Sequence, residues 1–222
     1  ILPGDEPDLK RGFNIFEERE NTDNETIISS FNSIFDTELR FNDQWKLSSQ
    51  VGIQWDQSSQ EQYVGENTFN MRNIREDSSY DENQYIVPKG GMHTVNNATT
   101  SQITWKVQGE YKNTFNDIHD IQIMAGSEIR KNWYNTQFTA GYGYDPKTLT
   151  TKPLNIRNDK DAEKYKLHTK TYQENAFASF YTTGSYSFMS RYTIGGSVRM
   201  DGSDLFGVDK KYRYLPIYSI SG

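Results

Sequence analysis

Aromatic side chains in two long polar segments, residues 57–100 and 132–172, are the best candidates for binding chemistry. A tyrosine or tryptophan ring can stack on the apolar C–H surface of a sugar, and its polar end can form a hydrogen bond. The candidate contact residues are Tyr63, Tyr80 and Tyr85 in the first segment and Trp133, Tyr134, Tyr142 and Tyr144 in the second. The same side chains could instead pack on one another or on a partner protein, and both alternatives stay open.

Catalytic and metal-binding patterns are not found in the sequence. The three histidines, His93, His119 and His168, lie far apart and lack the spacing of metal ligands. No G-x-S-x-G nucleophile motif occurs. The acidic residues 76–82 could offer oxygen atoms to Ca²⁺, but they lack the spacing and glycine of an EF-hand loop, which favours a solvated loop. We therefore expect no metal, no cofactor and no enzymatic activity.

The composition suits a sheet that meets water on one side only. Hydrophobic residues make up only 34% of the 222 residues, but aromatic residues reach 14%, with 15 Tyr and 12 Phe. Disordered chains are poor in aromatic residues, so the mean hydropathy of −0.87 does not indicate disorder. The chain has no cysteine, which excludes disulfides and thiolate metal sites. Its net charge of −6 gives no support for nucleic-acid binding.

Strict alternation of side chains predicts six strands in three hairpins. The clearest stretch is residues 173–207, with a turn at residues 187–190. There one uncharged row faces away from a polar row, because successive side chains of a strand point to opposite faces. The uncharged row holds Tyr192, Ile194, Gly196, Val198 and Met200, and the polar row holds Thr193, Gly195, Ser197, Arg199 and Asp201.

The two other predicted hairpins repeat this pattern. Their strands are residues 26–41 with 47–56, joined by a turn at 42–44, and residues 103–112 with 121–130, joined by a turn at 116–117. Residues 1–24 are expected to form a loop. Long connections are predicted at residues 57–100 and 132–172, and a third begins near Gly202.

Short turns that alternate with long connections are typical of outer-membrane β-barrels, whose strands of about ten residues span the apolar band. Aromatic residues mark both ends of the predicted strands, as expected of two interfacial belts. They are Phe41, Trp45, Tyr111, Phe115, Phe188 and Tyr192 at the turns, and Trp55, Trp105 and Trp133 at the long connections. The predicted fold class is all-β, an antiparallel transmembrane β-barrel segment with short periplasmic turns and long extracellular loops.

A soluble β-sandwich is the alternative fold. It is disfavoured because its outer faces usually carry charges and its loops are usually short. In this chain the outward rows of five predicted strands carry no charge. The charged residues of the opposite rows, among them Lys106, Glu110, Glu128 and Arg130, are expected to form cross-strand charge pairs. Six strands cannot close a large barrel, and an open edge is forbidden in lipid, so we expect the rest of the barrel to lie outside this chain.

The sequence RMDGSDLFG at residues 199–207, followed by KYRYLP at 211–216, resembles a late-barrel signature of the SusC/RagA family of TonB-dependent outer-membrane transporters. The family pattern is approximately R-x-D-G-S-S-x-F-G and then a basic-aromatic step into F-P-S. Residues 178–181 and 190–192 are similar to the preceding hairpin of that family, and residues 111–128, with His119 after the turn, resemble an earlier one.

The resemblance implies a plugged barrel of about 22 strands in the cell outer membrane. Such a barrel imports a glycan, or in some members a peptide, with energy delivered by TonB, and a SusD-like surface lipoprotein covers its extracellular mouth. Residues 1–222 would be a partial barrel without the plug domain and the TonB box. A soluble β-rich carbohydrate-binding or adhesin module and a siderophore receptor barrel remain as alternative functions.

Overall fold

Long strands dominate the computed structural model, which describes residues 12–203 and 214–222. The strands are β1 (Thr22–Arg40), β2 (Trp45–Val64), β3 (Ser79–Asp81), β4 (Gln84–Tyr85), β5 (Gly91–Phe115), β6 (His119–Tyr144), β7 (His168–Phe188), β8 (Tyr192–Ser203) and β9 (Tyr214–Ser221). The helices are α1 (Ile15–Glu20), α2 (Phe69–Glu76) and α3 (Asp159–Lys164). Among the described residues, no helix has the length and apolar character needed to cross a membrane.

Seven of these strands form one sheet in the order β1-β2-β5-β6-β7-β8-β9, and β3 pairs with β4 in a separate two-stranded sheet. Apart from β3 and β4, which belong to the other sheet, strands that follow one another along the chain are therefore neighbours in the large sheet. The three predicted hairpins are confirmed as β1–β2, β5–β6 and β7–β8. A seventh strand, β9, pairs antiparallel with β8.

The hairpin turns lie where turn residues occur in the sequence. The Asn42 side chain accepts hydrogen bonds from the backbone N–H groups of Gln44, at 2.9 Å, and Trp45, at 2.8 Å. Asn116 and Asp117 have φ angles of 50° and 56°, the left-handed region that a two-residue hairpin turn uses. Met189 and Ser190 have φ angles of 52° and 53°, so the third turn is confirmed although its residues are poorly suited to it.

The predicted extents of the loops are wrong. β2 continues to Val64, β5 already begins at Gly91, β6 continues to Tyr144 and β7 begins at His168. The connections are therefore residues 65–90 and 145–167, and they contain α2, β3, β4 and α3. Stretches such as residues 57–62 (QSSQEQ) are polar in both rows, so a strand there shows no period-two hydrophobic signal.

The N-terminal prediction is also corrected. Within residues 12–24, where a loop was expected, lie α1 and the beginning of β1. The Asn14 side chain caps α1 by accepting a hydrogen bond from the Phe16 N–H. Residues 1–11 lie outside the described residues, as do residues 204–213, which include part of the late-barrel signature and of the third predicted connection.

The chain divides into two compact units. Unit 1 comprises the described part of residues 1–29 together with Gln57–Thr99 and Asn135–Thr171. It has a small hydrophobic core, formed by Val64, Met71, Ile86, Val87 and Tyr165, each at most 5% exposed. Unit 2 comprises Ser30–Asp56, Thr100–Tyr134 and the described part of Tyr172–Gly222. It consists of sheet, and its apolar side chains are mostly exposed.

Candidate functional site

The β7–β8 hairpin of unit 2 has two chemically different faces. Directly paired residues share a face, and the register pairs Phe180 with Met200, Thr182 with Val198 and Tyr186 with Ile194. On this face the β8 side chains are between 41% and 72% exposed: Tyr192, Ile194, Val198 and Met200. A continuous exposed apolar face of this kind marks a surface that meets another protein or lipid.

The opposite face of the same hairpin is built from hydrogen-bonded polar side chains. Arg199 Nε lies 2.8 Å from both carboxylate oxygens of Asp201, and Arg199 Nη2 donates to Ser179 Oγ at 3.1 Å. Because Ser179 is paired with Asp201 and Tyr181 with Arg199, these four residues form one patch across two strands.

The polar patch continues to β5 and β2 through Tyr181. The Tyr181 hydroxyl donates to Gln108 Oε1 at 3.0 Å, and Gln108 Nε2 donates to Glu110 at 2.8 Å. Glu110 in turn forms an ion pair with Lys46 at 3.0 Å. This network, which we call the polar ladder, is defined by Lys46, Glu110, Gln108, Tyr181, Arg199, Asp201 and Ser179.

A glycine makes room for the central tyrosine of the polar ladder. A Cβ atom at Gly126 would lie 2.5 Å from Cζ and Oη of Tyr181 and 2.8 Å from the backbone oxygen of Val107. The tyrosine ring therefore lies over the bare backbone of β6. The Lys106 ammonium and the Arg199 guanidinium each lie 5.9 Å from the ring centroid.

Among the residues that the structure describes, the charge pairs expected for Lys106, Glu110, Glu128 and Arg130 are found only for Glu110, whose partner is Lys46. The Arg130 guanidinium lies 4.6 Å from the centroid of Phe177, and Lys106 lies against Tyr181. Aromatic faces, which attract cations, thus replace the predicted carboxylates as neighbours of these two side chains.

A polar groove of about 360 Å³ lies beside the polar ladder within unit 2. Its lining residues are Asp36, Thr37, Glu38, Ser48, Ser49, Gln50, Lys106 and Gln108. Gln50 donates to Asp36 at 2.7 Å, so part of the lining is already hydrogen-bonded within the protein. The groove offers amide, hydroxyl and carboxylate groups, which are the partners that a hydroxyl-rich or peptide-like molecule can use.

Five of the seven predicted contact residues lie in long strands of the seven-stranded sheet rather than in connections, which corrects the prediction for them, whereas Tyr80 and Tyr85 lie in two short strands within the connection 65–90. Tyr63 is in β2, Tyr80 in β3 and Tyr85 in β4. Trp133, Tyr134, Tyr142 and Tyr144 all belong to β6. The first three and the last two belong to unit 1, whereas Trp133 and Tyr134 belong to unit 2.

Within unit 1, Tyr63 and Tyr144 are brought together. Their ring centroids are 5.7 Å apart, and His93 stacks on Tyr144 at 4.8 Å. The His93 ring also contacts the Glu61 carboxylate at 2.6 Å. Tyr142 is separate from this group and packs edge-on against the core residue Tyr165, with centroids 6.1 Å apart.

Arginines cover the two tyrosines of the β3–β4 hairpin. The Arg157 guanidinium lies 3.9 Å from the centroid of Tyr80, and Asn155 Nδ2 donates to the Tyr80 hydroxyl. The Arg75 guanidinium lies 4.3 Å from the centroid of Tyr85. One face of each ring is therefore occupied by a side chain of the same chain, which reduces the area available for stacking on a ligand.

Of the two candidate residues of unit 2, Tyr134 is exposed and Trp133 is half-buried. Tyr134 is 41% exposed, and Trp133 has the Lys131 ammonium 5.2 Å from its ring centroid. The structure thus separates the seven candidates into several small groups. Within the described ranges, no group of three or more His, Cys, Asp or Glu side chains is arranged to hold a metal ion.

Sequence comparison finds relatives among TonB-dependent receptors. The chain is 29% identical to TonB-dependent receptor P39 of Formosa agariphila over 108 residues, which is 48% of this chain and 10% of the relative. It is 22% identical to TonB-dependent receptor P26 of the same organism over 193 residues, covering 87% of this chain and 18% of the relative. No protein-family model matches the chain. The chain therefore spans less than a fifth of the length of either relative.

Structure comparison finds the same fold in a solved transporter. The RagAB peptide transporter superposes with a TM-score of 0.70 at 17% identity, covering 90% of this chain and 20% of the other. The open-open state of the RagAB peptide importer gives the same TM-score at 18% identity. The predicted resemblance and the predicted fold, an antiparallel segment of a larger β-barrel, are both confirmed.

Proposed function

We propose that this chain, a barrel segment of the SusC/RagA type, forms part of the wall of a TonB-dependent importer in the cell outer membrane. The observation that carries the proposal is the two-faced β7–β8 hairpin. Its apolar face is exposed, and its opposite face carries the polar ladder. In a barrel wall the first face meets lipid and the second lines a polar interior.

The edges of the sheet agree with this proposal. β1 and β9 are the outer strands of the seven-stranded sheet, and the side chains of β1 are almost all exposed. Backbone groups at a sheet edge cannot remain unpaired in lipid. Further strands of the same barrel, which would pair with β1 and β9, satisfy this requirement.

The cargo that we propose is a glycan or a peptide, carried without any covalent change. The curated relatives are named TonB-dependent receptors, and the solved neighbour is a peptide transporter. Energy would come from TonB, and a SusD-like surface lipoprotein would cover the outer mouth. The aromatic candidates Tyr63, Tyr144, Trp133 and Tyr134 would contact the cargo or this lipoprotein, since their rings keep exposed surface.

Neighbouring cysteine substitutions on β8 test the wall assignment. Val198→Cys lies in the apolar row and Ser197→Cys in the polar row, and this chain contributes no cysteine of its own. In outer membranes, the thiol of the Ser197→Cys protein is expected to react with a water-soluble maleimide, whereas the thiol of the Val198→Cys protein reacts only with a lipid-soluble reagent. Equal reaction of both thiols with the water-soluble reagent would mean that both faces meet water and would favour a soluble binding module.

Binding measurements on the purified barrel protein distinguish the two cargo classes. Labelled oligosaccharides and labelled peptides would be titrated separately, with the wild type and with Tyr134→Ala and Tyr144→Ala variants. Loss of an aromatic contact is expected to weaken binding of the true cargo by about fivefold, since a stacked ring contributes on the order of 1 kcal/mol. Unchanged binding in both variants would contradict a role of Tyr134 and Tyr144 as cargo contacts.

A further inference from the structure

The apolar face of the β7–β8 hairpin carries a groove of about 220 Å³ that opens to the outside of the sheet. Gly184 and Gly196, which are directly paired across the two strands, form its floor. Val198 lies beside this floor, and the neighbouring strand β9 adds Tyr218 and Ile220 as a wall. Tyr218 is 78% exposed and Ile220 is 82% exposed, so an external apolar group can reach the groove.

The contacts of the two floor glycines within the described part of the chain do not require glycine. Neither residue has the positive φ angle that favours glycine. A Cβ atom at Gly184 would lie 3.9 Å from the Gln122 backbone oxygen, and one at Gly196 would lie 3.4 Å from the Ser219 oxygen. Both are ordinary van der Waals distances. Glycine weakens the interior of a strand and often marks a place where a ligand comes close to the backbone.

The depth of the groove along the strands fits one leaflet of a membrane. β8 begins at Tyr192, and the four residue steps from there to Gly196 span about 13 Å of strand. With a strand tilt of about 40°, the groove lies roughly 10 Å from the turn end of the apolar band. An acyl chain extends across about half of a hydrocarbon core of ~30 Å and therefore reaches this depth.

The turn end of the hairpin suits a phospholipid headgroup. Phe188 is paired with Tyr192 and Tyr186 with Ile194, so three aromatic side chains share the apolar face there. Aromatic residues are enriched at the level of the headgroups. Arg191, which is exposed, directly precedes Tyr192 in the turn. A guanidinium pairs well with phosphate oxygens, so the charge at this end complements the phosphate of a phospholipid.

We propose that the groove binds one acyl chain of a phospholipid of the periplasmic leaflet, and that Arg191 pairs with the phosphate of the same lipid. This inference rests on the proposed function, in which the hairpin is part of a barrel wall and its short turn is periplasmic. The acyl chain fills the space above Gly184 and Gly196 and gains dispersion contacts with Val198, Tyr218 and Ile220. Because the lipid is held at both ends, it leaves the protein more slowly than the surrounding lipid does.

Native mass spectrometry of the intact barrel protein, extracted from outer membranes with detergent, measures the lipid that remains bound. The wild type is expected to retain one phospholipid more than Gly184→Leu or Gly196→Leu proteins, in which a side chain occupies the groove. Gly196→Ala fills only part of the space and should lose only part of the retained lipid. The matched control is Ile194→Leu, which keeps an apolar side chain of equal size on the same face outside the groove and should retain the phospholipid.

Substitutions of Arg191 test the headgroup end separately. Arg191→Gln is expected to lower the retained phospholipid about fivefold, since the attraction between a basic residue and an anionic headgroup is lost. Arg191→Lys keeps the charge and should lie between the wild type and the Gln variant. These variants leave the groove unchanged, so they decide the question even if leucine in the groove prevents folding.

Equal phospholipid retention in the wild type and in folded Leu and Gln variants would overturn the proposal. It would also be overturned if the groove retained lipopolysaccharide, or if the Leu variants released a bound protein instead of a lipid. Failure of the wall assignment itself gives a different result, because the thiol of the Val198→Cys protein then reacts with the water-soluble maleimide. If only the groove assignment is wrong, that thiol remains protected.

Discussion

The contact between Tyr181 and Gly126 shows how one residue without a side chain can organise the polar face of the sheet. The tyrosine ring lies over Gly126, and its hydroxyl donates to Gln108 Oε1 at 3.0 Å. A Cβ atom at position 126 would approach the Val107 backbone oxygen as well as the ring. The observed position of the Tyr181 ring therefore requires a residue without a side chain at position 126.

We predict that Gly126→Ala lowers the free energy of unfolding of the barrel protein by about 1–3 kcal/mol, the usual cost of overpacking. Urea unfolding in detergent or lipid measures this change. Tyr181→Ala in the Gly126→Ala background is expected to recover part of the loss, since only the Val107 oxygen remains in the way. A Gly126→Ala protein as stable as the wild type would show that the ring moves aside without cost.

The sequence identifies the candidate contact residues by their type, but it does not identify the side chains that contact them in the structure. Tyr80 was recognised as a candidate, yet its hydrogen-bond partner Asn155 lies 75 residues further along the chain. Arg157, Arg75 and His93, which contact three of the seven candidates, carry no local pattern that marks them. Contacts across strands that are distant in sequence depend on register, and alternation alone does not determine register.

At the scale of elements, alternation predicted the strands but not their ends. Hydrophobic periodicity exists only where the two faces of a strand meet different surroundings. In residues 47–56 the two rows differ, and this half of β2 was recognised. In residues 57–64 both rows are largely polar, so the pattern predicts a loop there although the strand continues to Val64. The same explanation holds for the unrecognised beginning of β5, whereas the end of β6 does alternate, with Tyr134, Phe138, Tyr142 and Tyr144 in one row.

The turns of the second and third hairpins differ in how well their residues suit the backbone. Asn116 and Asp117 tolerate positive φ, whereas Met189 and Ser190 adopt φ angles of 52° and 53° at a cost of roughly 1–2 kcal/mol per residue. We predict that Met189→Asn with Ser190→Gly raises the free energy of unfolding by about 1 kcal/mol. Thermal or urea unfolding of the barrel protein measures the change.

The reciprocal exchange is the control for this prediction. Asn116→Met with Asp117→Ser places the residues of the third turn in the second, where both φ angles are also positive. We expect this exchange to lower the stability by a similar amount. If both exchanges shift stability in the same direction, the φ angles of the turn residues do not explain the effect.

At the scale of the whole molecule, unit 1 has a hydrophobic core of its own, although the sequence suggested only long loops there. Helix α2 begins after Thr68, whose hydroxyl accepts from the Met71 N–H at 3.1 Å and donates to the Gly65 oxygen at 2.8 Å. Met71 is only 1% exposed and packs with Val64 and Val87. The segments between the strands are therefore ordered by packing as well as by hydrogen bonds.

Because the core of unit 1 is small, a single truncation should be enough to loosen it. We predict that Met71→Ala costs about 2–5 kcal/mol, as expected when a fully buried side chain leaves a cavity. Local opening then becomes easier, so amide hydrogen exchange should accelerate in residues 65–90 and 145–167 of unit 1. Met189→Ala is the matched control, because Met189 is 50% exposed and its side chain fills no core. Unchanged exchange in the Met71→Ala protein would contradict a stabilising core in unit 1, and equal acceleration in the Met189→Ala protein would show that the effect does not come from burial.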